Sequence, residues 1–478
     1  MIQAADYVAI LPELVLTLFG VAVMMAESLM KPGASRRPLG LLALAGALAS
    51  VIATVYQSYA PGPGFFAMVQ VDAFSIFFHL LIGIIAALVI LSSLEYLEVE
   101  NIRAGEFYGL VLLGSVGMQL MSSAVELVLI FIALEISSIS TYILAGFRRN
   151  VAARAEASLK YFLLGSFATA FFLYGVAMMF GATGSTYIPG IAGALRSGPV
   201  PPLAFVAVAL MFVGIGFKVA AAPFHVWTPD VYEGAPAPVV GLMSTAPKTA
   251  AFAVLARIFF STGAPGWFWL VWVAAALTMT LGNLGALVQN NVKRMLAYSS
   301  IAHAGYLLVA FTAAPELGVR AVLFYSAAYA AMNLGAFAVI SHLAGAGERF
   351  VNIDDYAGLG RRSPLVAATL TLFLLSLIGI PVTGGFFAKF YVFTAALNSG
   401  LVWLTIIGLV NSAIAAYYYL RIIVVMYMHE ARQEMPALPV PVAVAVVLTV
   451  SATATLYLGL LPGGMLAFAA AAAGDLLP

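Results

Sequence analysis

Apolar runs of about 20 residues, long enough to cross a bilayer, recur along the whole chain and are separated by short charged or Pro/Gly-rich breaks. They fall near 8–29, 38–57, 73–97, 107–123, 125–146, 157–181, 202–228, 237–260, 267–289, 294–313, 319–344, 365–396, 400–428 and 440–462. This pattern predicts an all-α integral membrane protein with about fourteen transmembrane helices. The longest non-apolar stretch, 345–364 (AGAGERFVNIDDYAGLGRRS), is too short to hold a core, so no soluble domain is expected. Nucleotide, flavin or haem chemistry is accordingly not expected of this chain, and it is read as binding no cofactor and no metal. Gly-rich pieces such as GGMLAF near the end read as helix termini or linkers. The start, MIQAADYVAILPELVL, has no basic segment or small-residue cleavage site before the first span, which predicts a retained helix.

Composition agrees with a polytopic chain. Of the 478 residues 63% are hydrophobic, mean hydropathy is +1.05, and only 9% are charged, against about 25% in a soluble domain. The absence of cysteine excludes disulfides and cysteine-held iron–sulfur clusters. A net charge of +1 does not point to nucleic acid; the placement of the charges is what informs. With the N-terminus outside, fifteen of the 21 basic residues, among them Arg103, Arg148, Arg149, Arg361, Arg362 and Arg432, fall at cytoplasmic loops and span ends. Only Arg196, Arg257 and Arg320 fall outside. This asymmetry predicts both termini on the outer, periplasmic side.

Four ionisable residues lie inside otherwise apolar spans: Glu135, Lys218, Lys248 and Lys389. A charge at the bilayer centre costs roughly 2.5–3.5 kcal/mol on insertion scales, so four of them imply stations for a moving proton or ion. Three prolines stand beside the lysines, in FKVAAAPFHVWTPD (Pro223), STAPKTAAF (Pro247) and LIGIPVTGGFFAKF (Pro381). Each is expected to interrupt its helix and to free the carbonyls of Val219, Met243 and Leu377. Free backbone groups at that depth are tolerated only inside protein or beside a water-filled cavity. Broken helices of this kind mark ion sites in transporters. Span seven, within spans four to eight, and span twelve, within spans nine to thirteen, carry a broken helix with a lysine at corresponding places. A five-helix unit used twice must enter the membrane from opposite sides, which predicts an inverted repeat. The chain then divides into 1–106 (three helices), 107–260 (first repeat), 267–428 (second repeat) and 440–478 (terminal helix and tail).

Glu135 shares a helical face with Ser138 and Tyr142. A carboxylate alone in lipid takes up a proton, whereas a lysine neighbour keeps it ionised, so Lys218 is the expected partner. Lys248 and Lys389 would continue the relay. His303 sits between them in sequence, and His225 lies just past the first break; a lone membrane histidine is otherwise a satisfied hydrogen-bonding residue. Lys160, one turn into span six, suits either a snorkelling cation or a proton entry point. Glu13, Glu27 and Glu126 stand near span ends and read as interfacial. His79, His342 and His429 lie near ends or among aromatics, the setting of structural histidines.

The segments ELVLIFIALEISSISTYIL, SLKYFLLGSF, GFKVAAAPFHVWTPDVYEGAPAPV, NVKRMLAYSSIAHAGYLL and IPVTGGFFAKFYVF resemble the antiporter-like membrane subunits of bacterial respiratory complex I, the NADH:quinone oxidoreductase. HVWTPDVYEGAPAPV and a lysine in the twelfth span are closest to the N type. The resemblance implies fourteen helices, two inverted five-helix repeats and discontinuous helices seven and twelve. It places the family's fifth-helix glutamate on Glu135 and its lysines on Lys160, Lys218, Lys248 and Lys389. It implies proton transfer coupled to quinone reduction in neighbouring membrane-arm subunits. FMN, iron–sulfur clusters and the quinone would be held elsewhere in the complex, in a bacterial inner membrane. Two other readings remain open on the residues: a subunit of a multisubunit cation/proton antiporter, and a purely structural membrane subunit.

Overall fold

The computed structural model describes residues 4–31, 33–102, 104–148, 152–263, 266–431 and 439–477. Arg103, Arg149 and Arg432 of the charge asymmetry lie outside them. A short α1 (Ala4–Ala9) leads into α2 (Leu11–Leu29) and α3 (Arg37–Gln57), and a hairpin of β1 (Gly62–Gly64) and β2 (Val69–Val71) follows. Next come α4 (Ala73–Val99), α5 (Glu106–Ser123), α6 (Leu127–Ala145), α7 (Ala152–Thr183), α8 (Ile188–Arg196), α9 (Pro202–Val219) and α10 (Thr228–Gly234). The second half comprises α11 (Ala237–Thr262), α12 (Trp267–Leu287), α13 (Val292–Thr312), α14 (Pro315–Leu343), the short α15 (Leu359–Arg362), α16 (Pro364–Ile378), α17 (Gly384–Asn398), α18 (Val402–Met428), α19 (Val442–Leu460) and α20 (Gly463–Leu476).

Among the described residues twelve helices are long and apolar enough to cross a membrane. The 18-residue α5 and the interrupted pair α16–α17 complete the fourteen crossings expected from the pattern. The GGMLAF segment, expected to be a helix terminus or linker, is the N-terminal end of a further helix, α20. Its run of alanines favours the helical state once begun.

Local chemistry starts the helices where the breaks were expected. Asp72 caps α4 in a reciprocal box: its carboxylate accepts from Ser75 N at 2.7 Å, and Ser75 Oγ accepts from Asp72 N at 3.0 Å. Glu126 accepts from Val128 N and Leu129 N at the head of α6. Proline occupies the first turn of α2, α3, α9, α11, α14 and α16, where its missing N–H costs nothing.

Two of the three expected interruptions are present, and they close in the same way. α9 ends with Ala220 in the left-handed region (φ 62°), and α16 ends with Gly379 (φ 93°). Ala220 N donates to Phe217 O at 3.1 Å and Ala221 N to Gly216 O at 2.7 Å. Gly379 N donates to Ser376 O and Ile380 N to Leu375 O, both at 3.0 Å. These paired bonds form the Schellman closure, which satisfies carbonyls that would otherwise be orphaned. The third expected break does not occur: α11 runs unbroken through Pro247. Proline removes one backbone bond there, but α11 is enclosed by protein along its central stretch and is held in line by α4, α5 and α14. That support is absent from a one-dimensional reading.

α11, α13 and α14 form the enclosed centre. Around them, α7 turns Leu159, Phe162, Phe167 and Tyr174 outward, and α18 does the same with Trp403, Leu409 and Tyr417, as suits helices that meet lipid or neighbouring subunits. The halves are pinned at one end by Glu348, in the loop after α14. Its buried carboxylate accepts from Lys293 Nζ at 3.0 Å, Tyr96 OH at 2.9 Å and the first N–H of α11, Ala237 N, at 2.9 Å. Arg148, itself paired to Glu100 at 2.6 Å, stands 4.0 Å away.

At the second interruption α17 starts so close to α16 that a Cβ on Gly385 would lie 1.8 Å from Ser376 O. Gly385→Val is therefore expected to pry the half-helices apart. Its checkable result is a loss of the assembled protein on native electrophoresis, in line with overpacking costs of about 1–3 kcal/mol or more.

Candidate functional site

The intramembrane lysines all point into the protein and are at most 6% exposed. Each ammonium is held by a serine hydroxyl. Lys218, in the last turn of α9, donates to Ser138 Oγ of α6 at 3.0 Å and lies 5.9 Å from the Tyr142 ring centre. Lys248, in mid-α11, donates to Ser300 Oγ of α13 at 2.6 Å and to Ser300 O at 3.2 Å, 5.9 Å from the Tyr232 ring. Lys389 of α17 donates to Ser412 Oγ of α18 at 2.9 Å and lies 4.9 Å from the Tyr306 ring. Aromatic faces at these distances favour a cation that has lost its water.

Lys389 also donates to Ile378 O at 2.7 Å and Leu377 O at 3.1 Å. The carbonyl expected to be free is thus taken by the lysine itself, and the charge sits at the negative end of α16. The two break lysines are not equivalent: Lys218 precedes its interruption and Lys389 follows its own. At the first break the carbonyl of Phe217 accepts from Trp227 Nε1 at 3.1 Å, and Trp227 stacks on Tyr161 at 4.4 Å. The indole thereby closes the helix end beside Lys218.

The expected direct pairing of Glu135 with Lys218 is not made. Among the described residues no ion pair within 4 Å joins them; Ser138, one turn along α6 from Glu135, takes the ammonium instead. Glu135 is half-buried, its Oε1 has no hydrogen-bond partner, and it stands on the face of α6 that turns Ile132 and Ile139 outward. Spacing along one helix shows which residues share a face, but not how far that face is rotated from the neighbour.

His303 lies between Lys248 and Lys389 in space as well as in sequence. It is one turn along α13 from Ser300, the hydroxyl that holds Lys248. Its Nδ1 meets Tyr325 OH at 2.6 Å and its Nε2 meets Tyr419 OH at 3.3 Å. Its ring is 5.7 Å from that of Tyr306, over which Lys389 sits. Tyr419 OH in turn bonds Ser299 Oγ. His225 stands in the first interruption with its Nδ1 buried and unbonded. Lys160 is half-exposed and pairs with Glu156 at 2.8 Å and with Asp230 of α10 at 3.4 Å, which Arg294 also binds at 2.7 Å. It belongs to an end cluster, away from the enclosed row.

The connecting hydroxyls, Ser300, Tyr306, Tyr325, Tyr419 and Ser412, were not among the expected site residues. A signal for some of them was present: Ser299, Ser300, His303 and Tyr306 recur at one-turn spacing in YSSIAHAGY. Among the described residues no group of three or more His, Asp or Glu is placed to hold a metal.

Residues 124–415 match the family described as NADH:quinone oxidoreductase/Mrp antiporter, TM. "NADH-quinone oxidoreductase subunit N 2" of Koribacter versatilis is 63% identical over 100% of this chain and 98% of its own length. The chain belongs to the NADH-quinone oxidoreductase subunit N family. Among solved structures, a chain of "Respiratory complex I from Thermus thermophilus with bound Aureothin" is 36% identical, with 95% of this chain and 98% of that one covered and a TM-score of 0.82. A chain of the "Mrp complex from Dietzia sp. DQ12-45-1b" is 22% identical over 97% of both chains with a TM-score of 0.85, a likeness of fold alone. The fold therefore does not separate a subunit N from an antiporter subunit; the full-length identity does.

Proposed function

We infer that this subunit N family member is a proton-translocating membrane-arm subunit of a bacterial NADH:quinone oxidoreductase. The observation that carries the reading is the row of enclosed lysines, each on a serine hydroxyl, with His303 and its tyrosines between Lys248 and Lys389. A serine hydroxyl accepts from an ammonium and donates to a neutral amine, so each station works in either protonation state. Adding a positive charge at one lysine disfavours a positive charge at the next, so the lysines of the row titrate as a coupled set. Glu135, Lys218, Lys248 and Lys389 are its stations, His303 bridges the latter two, and His225 and Lys160 flank it.

The chain itself performs no redox step. FMN, iron–sulfur clusters and quinone belong to other subunits, and the neighbours of this chain are other membrane-arm subunits and lipid. It resides in the bacterial inner membrane with both termini on the periplasmic side. The shared Schellman closure of the two interruptions supports reading 107–260 and 267–428 as inverted repeats.

The test is inhibitor-sensitive NADH:quinone reductase activity with proton uptake in membranes carrying Lys218→Ala, with native electrophoresis to verify assembly. A drop of about tenfold or more in both, corresponding to at least ~1.4 kcal/mol on the barrier, is expected in an assembled complex. Full retention of both would leave a scaffold.

A further inference from the structure

A second buried acid–base cluster lies outside the lysine row, among the N-terminal helices. Glu13 of α2 stands at a span end, as expected, but is not interfacial: it is 4% exposed, and neither carboxylate oxygen has a hydrogen-bond partner. His79 of α4 is wholly buried, with its Nε2 3.4 Å from Glu13 Oε1. α1, the β1–β2 hairpin and the ends of α3 and α5 close over this region, so the position of Glu13 near the head of its helix does not expose it.

The hydrogen bonds around His79 decide how many protons the pair carries. Gln57 Nε2 donates to Ala9 O at 2.6 Å, which turns Gln57 Oε1 toward His79 Nδ1 at 3.1 Å. Nδ1 therefore faces an acceptor and carries a hydrogen. Gln119 Nε2 donates to His79 O at 3.0 Å and to Ser50 Oγ at 3.2 Å. On the other side of the ring, Nε2 faces Gln119 O at 3.1 Å and the Glu13 carboxylate. Both ring nitrogens thus meet only oxygens. A neutral imidazole beside a carboxylate would set a lone pair against two acceptors and leave one uncompensated negative charge buried. One more proton removes the buried charge in either position: on Nε2, as an imidazolium, it also gives both facing oxygens a donor, and on Glu13, as an acid that donates to Nε2, it leaves only Gln119 O facing the ring nitrogen without a hydrogen.

We propose that Glu13 and His79 form a proton-binding site that holds one shared, exchangeable proton in the gap between Nε2 and Oε1. The surrounding groups do not supply that proton. α3 and α5 contribute Ser50, Gln57 and Gln119, none of which ionises. Asp72, at the head of α4, is paired with Arg257 of α11 at 2.9 Å, and Asp475 of α20 accepts from Ala73 N. The site is separate from the lysine row: no member of one bonds a member of the other.

The test is an infrared pH titration of the purified, assembled complex, parent against Glu13→Gln, Glu13→Asp and His79→Gln. Assembly is read by native electrophoresis. Glu13→Gln is expected to remove one titrating carboxyl band. His79→Gln is expected to keep that band and move its midpoint by about one pH unit or more, as loss of a coupled partner does. Glu13→Asp keeps an acid and gives a displaced band, which preserves the test if the amide variant fails to assemble. Parent and Glu13→Gln spectra that superimpose would overturn the site. A band that ignores His79→Gln would overturn the sharing. The readout is a carboxyl titration and not proton translocation, so its failure and that of the lysine row are distinguishable.

Discussion

Lys389→Met is expected to abolish proton uptake and to weaken assembly, whereas Lys389→Arg is expected to keep assembly and still lose proton uptake. The lysine has two separable tasks. Its charge satisfies the carbonyls of Leu377 and Ile378 at the end of α16, and in the proposed relay it would also have to give up a proton. Methionine fills the volume but leaves two buried carbonyls without their donor, at about 1–3 kcal/mol for each group. Arginine keeps a cation at the helix end but does not deprotonate in a protein. Proton uptake in vesicles, set beside native electrophoresis of the same membranes, separates the two tasks. If Lys389→Arg pumps at the parental rate, proton release from this residue is not part of the mechanism.

The second large effect is structural. Glu348→Gln is expected to cost about 3–5 kcal/mol, the range for breaking a buried ion pair. Glu348 and Lys293 have side chains only 2% and 1% exposed. Lys293 also donates to Glu233 O and Ala235 O, so its ammonium cannot swing to water without giving up those bonds. Glu348 itself sits in the left-handed region (φ 53°), which a non-glycine residue occupies only when its surroundings hold it there. The expected readout is a lowered unfolding midpoint and less assembled complex. Adding Lys293→Met should restore part of the loss, because it removes the stranded charge. An unchanged midpoint in Glu348→Gln would show that the carboxylate does not pin the two halves.

Much of this was legible in the sequence for definite reasons. A bilayer demands long apolar helices, so the spans announce themselves. The lysines stand out because they lie deep within apolar spans; the one other basic residue in those spans, Arg257, stands near the end of its own. Pro223 and Pro381 marked real interruptions: Gly379 ends α16 in the left-handed region that glycine takes readily, and Ala220 ends α9 there in spite of its Cβ. Pro247 carried the same signal and misled, because enclosure by neighbouring helices is a three-dimensional fact. Glu135 and Lys218 make no direct contact for a related reason: the rotation of α6 about its axis puts Ser138, not Glu135, in hydrogen-bond reach of the ammonium. The tyrosines around His303 were hidden by their number. With 21 in the chain, nothing in one dimension separates Tyr325 and Tyr419 from those at the membrane surface.

The enclosed centre has an electrical corollary. Lys248 is the twelfth of 26 residues in α11, and His303 is the twelfth of 21 in α13. Both therefore lie near the middle of their helices, at similar depth. Moving one elementary charge across the full membrane takes about 2.3 kcal/mol per 100 mV, but a step between two groups at one depth crosses almost none of that drop. A proton passing from Lys248 to His303 would do little work against the membrane voltage. The voltage would act on loading from one face and discharge to the other, so the respiratory gradient would throttle the doorways of this subunit while leaving traffic along its corridor unimpeded.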